Sequence, residues 1–175
     1  MTALTRNPSN QNYLQPTKFQ VTFPRVSTAV YFCQEVFIPG INSTPARHPT
    51  PFVDLYKPGD KLQYNSFRME FILDEDLWGW EVIHDWMRGY SFPSNFEEYK
   101  SLERLSESNL DRKPQYSDGV LTILSALNNP KFRIKFVDLF PISLSDVDFN
   151  VMLSADKPMV AVAEFRYQLY NIERV

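Results

Sequence analysis

The chain has 175 residues, a formal charge of -3, and apolar residues make up 43% of it. This length and composition predict one folded core and exclude a largely disordered chain. The slight acidity disfavours a protein that wraps nucleic acid, and no apolar stretch is long enough to span a bilayer.

The N-terminal part of the chain is predicted to be a polar arm at residues 1–16, followed by a first strand at residues 17–23. Phe19, Val21 and Phe23 alternate with polar residues along that strand. This alternation is typical of a strand with one buried face. The first strand is therefore expected to contribute one side of its residues to the core.

A second strand is predicted at residues 29–36, which include the single cysteine, Cys33. One cysteine cannot form an internal disulfide, and we expect Cys33 to be a buried, unreactive thiol. Residues 38–51 then contain four of the thirteen prolines. This proline density excludes a central strand and predicts an exposed connection.

A projecting hairpin is predicted at residues 44–66. Its apolar residues surround the sequence KPGD at residues 57–60, which has the composition of a tight turn. Because the hairpin follows a proline-rich exit from the core, its apolar side chains are expected to need cover from a neighbouring subunit. The predicted subunit-interface residues are Phe52, Val53, Leu55, Tyr56, Leu62 and Tyr64.

The middle of the chain is predicted to contain a strand followed by a helix. Apolar residues alternate over residues 67–73, which predicts one buried strand face. Three carboxylates at residues 74–76 favour a helix N-terminus, so we expect a helix over residues 77–88 that Gly89 ends. A metal site or an acid/base site at the carboxylates is the alternative, and the helix dipole is the simpler explanation.

The C-terminal half begins with a polar insertion at residues 90–117, with one short helix at residues 96–105. Strands resume at residues 119–127 and 131–139, and the Asn-Asn-Pro sequence between them predicts a tight connection. Residues 159–170 alternate throughout and predict one long terminal strand.

These elements predict a mainly β, α+β fold in one domain over residues 17–175. The architecture is expected to be an antiparallel β-sandwich or barrel with one flanking helix and the long projecting hairpin.

Two groups of residues on the predicted elements each allow two interpretations. Trp78, Trp80 and Trp86 could form a ligand platform but are expected to pack on the sheet, with Trp78 or Trp80 reaching an interface. Lys131, Arg133 and Lys135 could form a nucleic-acid-binding strand face but are expected to form a solvated or subunit-facing row.

Residue types that carry catalysis or bind metals are sparse. The two histidines, His48 and His84, lie in the proline-rich connection and on the predicted helix, with no evident catalytic partner. The sequence has no cysteine pair, no metal-binding histidine spacing and no glycine-rich phosphate loop. We therefore predict neither an enzyme nor a cofactor or metal site. A structural subunit and a ligand-binding β-barrel module are the candidates that this leaves.

The order of several motifs points to one family. The sequence IPG precedes the hairpin, FRMEFILDED leads into EVIHDWMRG with its Asp85-Trp86 pair, and the late segment contains a Pro-x-Ser-like turn, PIS, at residues 141–143. This order resembles the tail tube family of contractile, T4-like phages, which includes tube-initiator and tube-completion relatives, over residues 17–173. The late acidic turn of that family corresponds to Asp146, Asp148 and Asp156.

The resemblance implies a structural subunit that forms six-membered rings, which stack through the hairpin into a hollow tube. It implies contacts with copies of itself and with sheath, baseplate and tail terminator proteins. It also implies that DNA passes through the lumen without specific binding, that no cofactor is bound and that the chain does not insert into a membrane. The implied location is the virion tail, after assembly in the host cytoplasm. A tube initiator, a completion protein and the inner tube of a tailocin or type VI-like system remain alternatives.

Overall fold

The computed structural model describes residues 12–105, 114–152 and 157–175. The described chain consists mainly of antiparallel β-strands with short helices, so the predicted mainly β, α+β fold is confirmed. Residues 1–11 of the predicted arm and Asp156 of the late acidic turn lie outside the described residues. The helices are α1 (Ser27–Tyr31), α2 (Trp78–Ser91) and α3 (Glu97–Leu105), with a 3-10 helix at Pro24–Val26.

The strands form one large sheet system and two small ladders. The large system has the order β1-β8-β9-β10-β7-β2, with β11 also paired to β9. The small ladders are β3-β6 and β4-β5. The strands are β1 (Phe19–Thr22), β2 (Cys33–Val36), β3 (Ile41–Ser43), β4 (Ala46–Pro49), β5 (Asp54–Lys57), β6 (Leu62–Tyr64), β7 (Phe67–Ile72), β8 (Ser117–Leu124), β9 (Pro130–Leu144), β10 (Val160–Arg166) and β11 (Leu169–Arg174).

Strand β9 belongs to two sheets. Its first part pairs with β8 on one edge and with β11 on the other, and its second part pairs with β10. Between the two parts, Asp138 has a φ of 54°, a left-handed conformation that bends a strand. The bend lets one strand contribute to both layers around the core.

Aromatic rings fill the core between the two layers. Phe67 lies 4.8 Å from Phe136 and 6.2 Å from Phe165 between ring centroids, and Phe23 meets the edge of Phe67 at 5.5 Å. Phe67 and Phe165 are fully buried, and Phe23 and Phe136 nearly so. Burial of each such side chain stabilises the folded state by about 1.5–3 kcal/mol. The alternation predicted for β1 and β7 is confirmed, because Val21 and Phe23 are buried and the inward residues of β7 are too.

Helix α2 begins at Trp78, just after the acidic run and one residue later than predicted. Both carboxylate oxygens of Asp74 accept hydrogen bonds, from the backbone N–H groups of Trp78 and Gly79. The predicted end at Gly89 is wrong, because the helix continues to Ser91. Gly89 is buried, and a Cβ there would lie 3.0 Å from Leu102 of α3. This glycine therefore allows α3 to pack closely and does not end the helix.

The strand predicted at residues 29–36 is only half correct. Its first part is helix α1, and the strand begins at Cys33. Ala29 is buried on α1 and faces Gly79 of α2, where an added Cβ would lie 3.4 Å from the Ala29 backbone. Helix-on-helix packing of two small residues thus overrides the strand preference of the neighbouring valine and aromatic residues.

The long terminal strand predicted at residues 159–170 is divided in two. Strand β10 ends at Arg166 and β11 begins at Leu169. The interruption lies opposite the bend of β9, since Arg166 faces Phe140 and Leu169 faces Val137. The Pro-x-Ser-like turn predicted at residues 141–143 is also wrong, because these residues lie inside β9.

The insertion after α2 contains the predicted short helix, α3, whose Leu102 is buried. The Asn-Asn-Pro connection between β8 and β9 is a tight turn, as predicted. Ser125 donates its backbone N–H to the carbonyl of Asn129, and Asn128 has a φ of 62°.

Candidate assembly surfaces

The projecting hairpin is a two-stranded ribbon that continues the β2-β7 pair beyond the edge of the sheet. Ladder β3-β6 is the proximal part, and ladder β4-β5 is the distal part. The backbone N–H of Asn65 donates to the carbonyl of Gly40 at 3.0 Å, which joins the ribbon to the sheet. The ribbon thus spans Ile41 to Tyr64 and begins before the predicted residue 44.

The turn of the ribbon lies at its tip, residues 50–53, and not at the predicted KPGD sequence. Pro49 pairs with Asp54 at the end of the distal ladder. The KPGD sequence lies between the two ladders, where the limbs of the ribbon approach each other. A Cβ on Gly59 would lie 1.9 Å from the carbonyl oxygen of Thr44. Glycine is therefore needed there for close backbone approach and not for a turn.

Five of the six predicted interface residues are exposed on the ribbon. The exposed fractions are 98% for Phe52, 61% for Val53, 49% for Leu55, 67% for Tyr56 and 59% for Leu62. Tyr64 is half-buried at the base of the ribbon. The structure therefore brings five of these side chains together on one projecting element, and their role in an interface stays a prediction.

The strand registers divide the apolar residues of the ribbon between its faces. In the distal ladder Leu55 and Tyr56 lie on opposite faces, because neighbouring strand residues alternate. In the proximal ladder Ile41 faces Tyr64, and both share a face with Leu62. Sequence reasoning missed Ile41, which is 47% exposed, because it lies in the segment expected to be a connection.

Side chains from the C-terminal strands hold the base of the ribbon. The Tyr167 hydroxyl donates to the carbonyl of Asn65 at 2.8 Å, and the Tyr170 hydroxyl donates to the carbonyl of Pro39 at 3.2 Å. The Arg166 guanidinium donates to the carbonyl of Tyr64 at 2.8 Å. Burial raises the pKa of Tyr167 to about 12. These contacts fix both limbs of the ribbon to the body of the protein.

Sequence reasoning did not find this anchor. In one continuous strand, Tyr167 and Tyr170 would point to opposite faces. The interruption between β10 and β11 brings both rings against Tyr64, with centroids at 6.0 Å and 5.5 Å from its ring. No local pattern in the sequence indicates that interruption.

A second exposed apolar surface lies on the connection between β9 and β10. Phe149 is 75% exposed, Val151 is 100% exposed and Met152 is 89% exposed. The start of this connection is held at Ser145, whose carbonyl accepts a hydrogen bond from the Trp80 indole at 3.3 Å. Sequence reasoning missed this surface because a loop has no periodic pattern.

The three tryptophans differ in their environments. Trp86 is buried, its indole N–H donates to the carbonyl of Gln115 at 3.0 Å, and the Arg25 guanidinium lies 5.0 Å from its ring centroid. Trp80 is half-buried and stacks on His84 at 5.1 Å. Trp78 is 59% exposed. Core packing is thus confirmed for Trp86, and Trp78 is available to an interface.

The remaining candidate residues are a cysteine, a histidine and three basic residues. Cys33 is half-buried and not fully buried as expected, and burial raises the pKa of its thiol to about 11. His48 lies on the ribbon, paired with Leu55. Lys131, Arg133 and Lys135 are exposed, and Lys135 forms an ion pair with Glu173 at 2.9 Å.

Within residues 12–105, 114–152 and 157–175, no three histidine, cysteine or acidic residues come together in a way that could hold a metal ion. Over the same ranges, none of the helices has the length and apolar character that a membrane crossing requires.

The mainly antiparallel β fold of the described chain matches solved structures of tube ends of contractile injection systems. No protein-family model matches the chain. It is 27% identical over 175 residues to the tail tube terminator protein of Enterobacteria phage T4, with 93% of this chain and 90% of that protein covered. The resemblance to the contractile-phage tail tube family with its tube-end relatives is thereby confirmed.

Two solved structures of tube ends have the same fold. The tube terminating cap of the anti-feeding prophage matches with a TM-score of 0.60 and 11% identity, over 100% of both chains. The sheath/tube terminator of the PVC extracellular contractile injection system in its extended state matches with a TM-score of 0.55 and 13% identity, over 94% of this chain and 99% of that chain. These similarities, with the T4 relative, support a structural role associated with a tail tube.

Proposed function

We propose that this chain is a structural subunit of the ring that ends the tube of a contractile phage tail. The observation that carries the proposal is the ribbon, which exposes five large apolar side chains that a neighbouring molecule would cover. The similarity to the T4 tail tube terminator protein over 93% of the chain supports a position at the end of the tube.

In this proposal, identical contacts between neighbouring subunits close a ring of six, the number that the resemblance to the tail tube family implies. Head-to-tail contacts between copies close only when the rotation between them divides a full turn. The net charge of -3 would let DNA pass through the lumen without strong binding of its phosphates. The partners are copies of this chain, the last ring of the tube and components of the sheath. The ring would assemble in the host cytoplasm and remain in the virion tail.

A second candidate function is the repeating subunit of the tube itself. The ribbon favours it too, because a projecting apolar ribbon can link any ring to the next one. The tube of a tailocin or of a type VI-like system, and a tube initiator on the baseplate, belong to the same class of structural subunit. The filled interior disfavours a ligand-binding barrel, because aromatic rings of β7, β9 and β10 occupy the space between the described strands.

The proposal is tested by negative-stain electron microscopy and sedimentation of the purified chain over a range of concentrations. We expect separate rings that do not extend. Long hollow tubes would favour the repeating subunit. A chain that stays monomeric at every concentration, also when tube subunits are added, would contradict both functions.

A further inference from the structure

The sheet formed by β1, β8, β9 and β11 has one face in the core and one face exposed. Val21, Leu121 and Ile134 lie on the inner face and are buried. Because paired residues point to the same side of a sheet, the strand registers place the residues between them on the other side. We call this side the open face, and its central residues are Gln20, Thr122, Arg133, Lys135, Asn171 and Glu173.

Basic side chains run along β9 on the open face. Lys131, Arg133 and Lys135 are all exposed. As alternate residues of one strand, they point to the same side and follow one another at intervals of roughly 6.6 Å. Lys18, two residues before Gln20, adds a fourth cation on the same side of the sheet. The open face therefore carries a row of cations with one more beside it.

One exposed carboxylate lies among these cations. Glu173 is opposite Arg133 in the strand register and forms an ion pair with Lys135 at 2.9 Å. Both partners of that ion pair are about half exposed, so the pair contributes little to stability and its lysine can exchange the carboxylate for another anion. Asp118, further along β8, is half-buried and has one carboxylate oxygen shielded from water. The exposed charge of the open face is thus mainly positive, although the whole chain has a charge of -3.

The polar neighbours of these cations suit a phosphate backbone better than a protein surface. Gln20 and Asn171 are exposed in the same cross-strand rows as the cations, and both carry amide groups of the kind that contact phosphate oxygens in complexes with DNA. The centre of a protein–protein interface is instead poor in charged residues and rich in aromatic ones. The exposed aromatic residues Phe52 and Phe149 lie on the ribbon and on the β9-β10 connection, outside the open face.

We propose that the open face makes weak, sequence-independent contacts with the phosphate backbone of duplex DNA. Lys131 and Arg133 contact phosphates directly, and Lys135 exchanges Glu173 for a phosphate. Contacts to phosphates alone let a protein slide along DNA, so they agree with passage of the DNA through a ring. This inference rests on the proposed function, in which the open face of each subunit is turned to the lumen, and it names the residues that meet the DNA there.

Binding of a short fluorescent DNA duplex of mixed sequence to the full chain tests the contact. Fluorescence anisotropy gives the dissociation constant at salt concentrations from about 50 to 200 mM. Lys131→Gln and Arg133→Gln are each expected to weaken binding about eightfold at about 0.1 M salt and to reduce the salt slope by about 1, because one phosphate contact is lost. Lys157→Gln, at an exposed position outside the open face, changes the net charge equally and is the matched control.

Removal of the carboxylate gives a readout of opposite sign. Glu173→Gln leaves Lys135 without its ion-pair partner, so this variant is expected to bind the duplex more tightly, by up to about eightfold at about 0.1 M salt. A variant that is merely less stable would not gain affinity.

Negative-stain images of the same samples separate this inference from the proposed function. Equal affinities and salt slopes for Arg133→Gln and Lys157→Gln would overturn the phosphate contact and leave the ring standing. Loss of rings in Arg133→Gln alone would also overturn it, because the open face would then lie against a neighbouring subunit. A wild-type chain that forms no rings, whether or not it binds the duplex, would overturn the proposed function and the lumen contact with it.

Discussion

Tyr167 holds the base of the ribbon through one hydroxyl group. Replacing it by phenylalanine removes the hydrogen bond to the carbonyl of Asn65 and leaves that carbonyl without this donor. We expect Tyr167→Phe to lower the free energy of unfolding by about 1–2 kcal/mol and to increase proteolysis within the ribbon. Tyr56→Phe, at an exposed position of the ribbon, serves as the control. Equal losses in both variants would contradict an anchoring role.

The same tyrosine makes stability depend on alkaline pH. Burial raises its pKa from 10.0 to about 12, because the buried site disfavours the tyrosinate anion. The folded state therefore holds the proton more tightly than the unfolded state. This contribution is fully present below pH 10.0 and is lost as the pH rises towards 12.

Urea unfolding at a series of pH values up to 11 measures this dependence. The wild-type protein is expected to lose more stability above pH 10.0 than Tyr167→Phe does. Parallel losses in the two proteins would assign the alkaline sensitivity to other groups.

At the scale of elements, the ribbon depends on the close approach of its two limbs at Gly59. Because a Cβ there would lie 1.9 Å from the carbonyl oxygen of Thr44, Gly59→Ala should separate the limbs between the two ladders. We expect the variant to keep the melting temperature of the body and to lose assembly. Gln63→Ala, on the same ribbon, is the matched control. A Gly59→Ala protein that assembles normally would show that the shape of the ribbon is not needed.

The apolar residues of the ribbon are tested by the double change Leu55→Asp and Leu62→Asp. Both side chains are about half exposed, so we expect the monomer to remain folded and its far-ultraviolet circular dichroism to be unchanged. Assembly into rings or stacks should be blocked, because two charges would be buried at the contact. Gln63→Asp adds a charge on the other face of the proximal ladder and is the control. Loss of folding would contradict the exposed position of these residues.

Helix α3 is held to the body by Leu102, which packs on Gly89 of α2. Leu102→Ala should lower the free energy of unfolding by about 2–5 kcal/mol, since the side chain is almost fully buried. Chemical denaturation measures this change, with Leu127→Ala at an exposed position as the control. A loss below about 1 kcal/mol would mean that the site collapses around the smaller residue.

For the molecule as a whole, much of the fold could be predicted from local patterns in the sequence. The two-residue period of β1 and β7 identified their buried faces, and the proline-rich exit identified an exposed ribbon with apolar side chains. The errors lie where distant segments decide the structure. The formation of α1 depends on its packing against α2. The end of β10 depends on the bend at Asp138 of β9, and the conformation of KPGD depends on the close approach of the opposite limb of the ribbon. The connection between β9 and β10 carries no period, so its exposure could be seen only in the folded chain.

The anchor of the ribbon joins parts of the chain that are synthesised at very different times. The ribbon spans residues 41–64, and the groups that hold its base lie 102 and 131 residues after their partners. Because a chain is made from its N-terminus onwards, a growing chain contains the ribbon long before it contains Tyr167 and Tyr170. A growing chain that ends before these two tyrosines lacks the hydrogen bonds that fix the base of its ribbon. We expect ordered joining to begin only after Tyr170 has left the ribosome, so that chains without the anchor are kept out of the assembly.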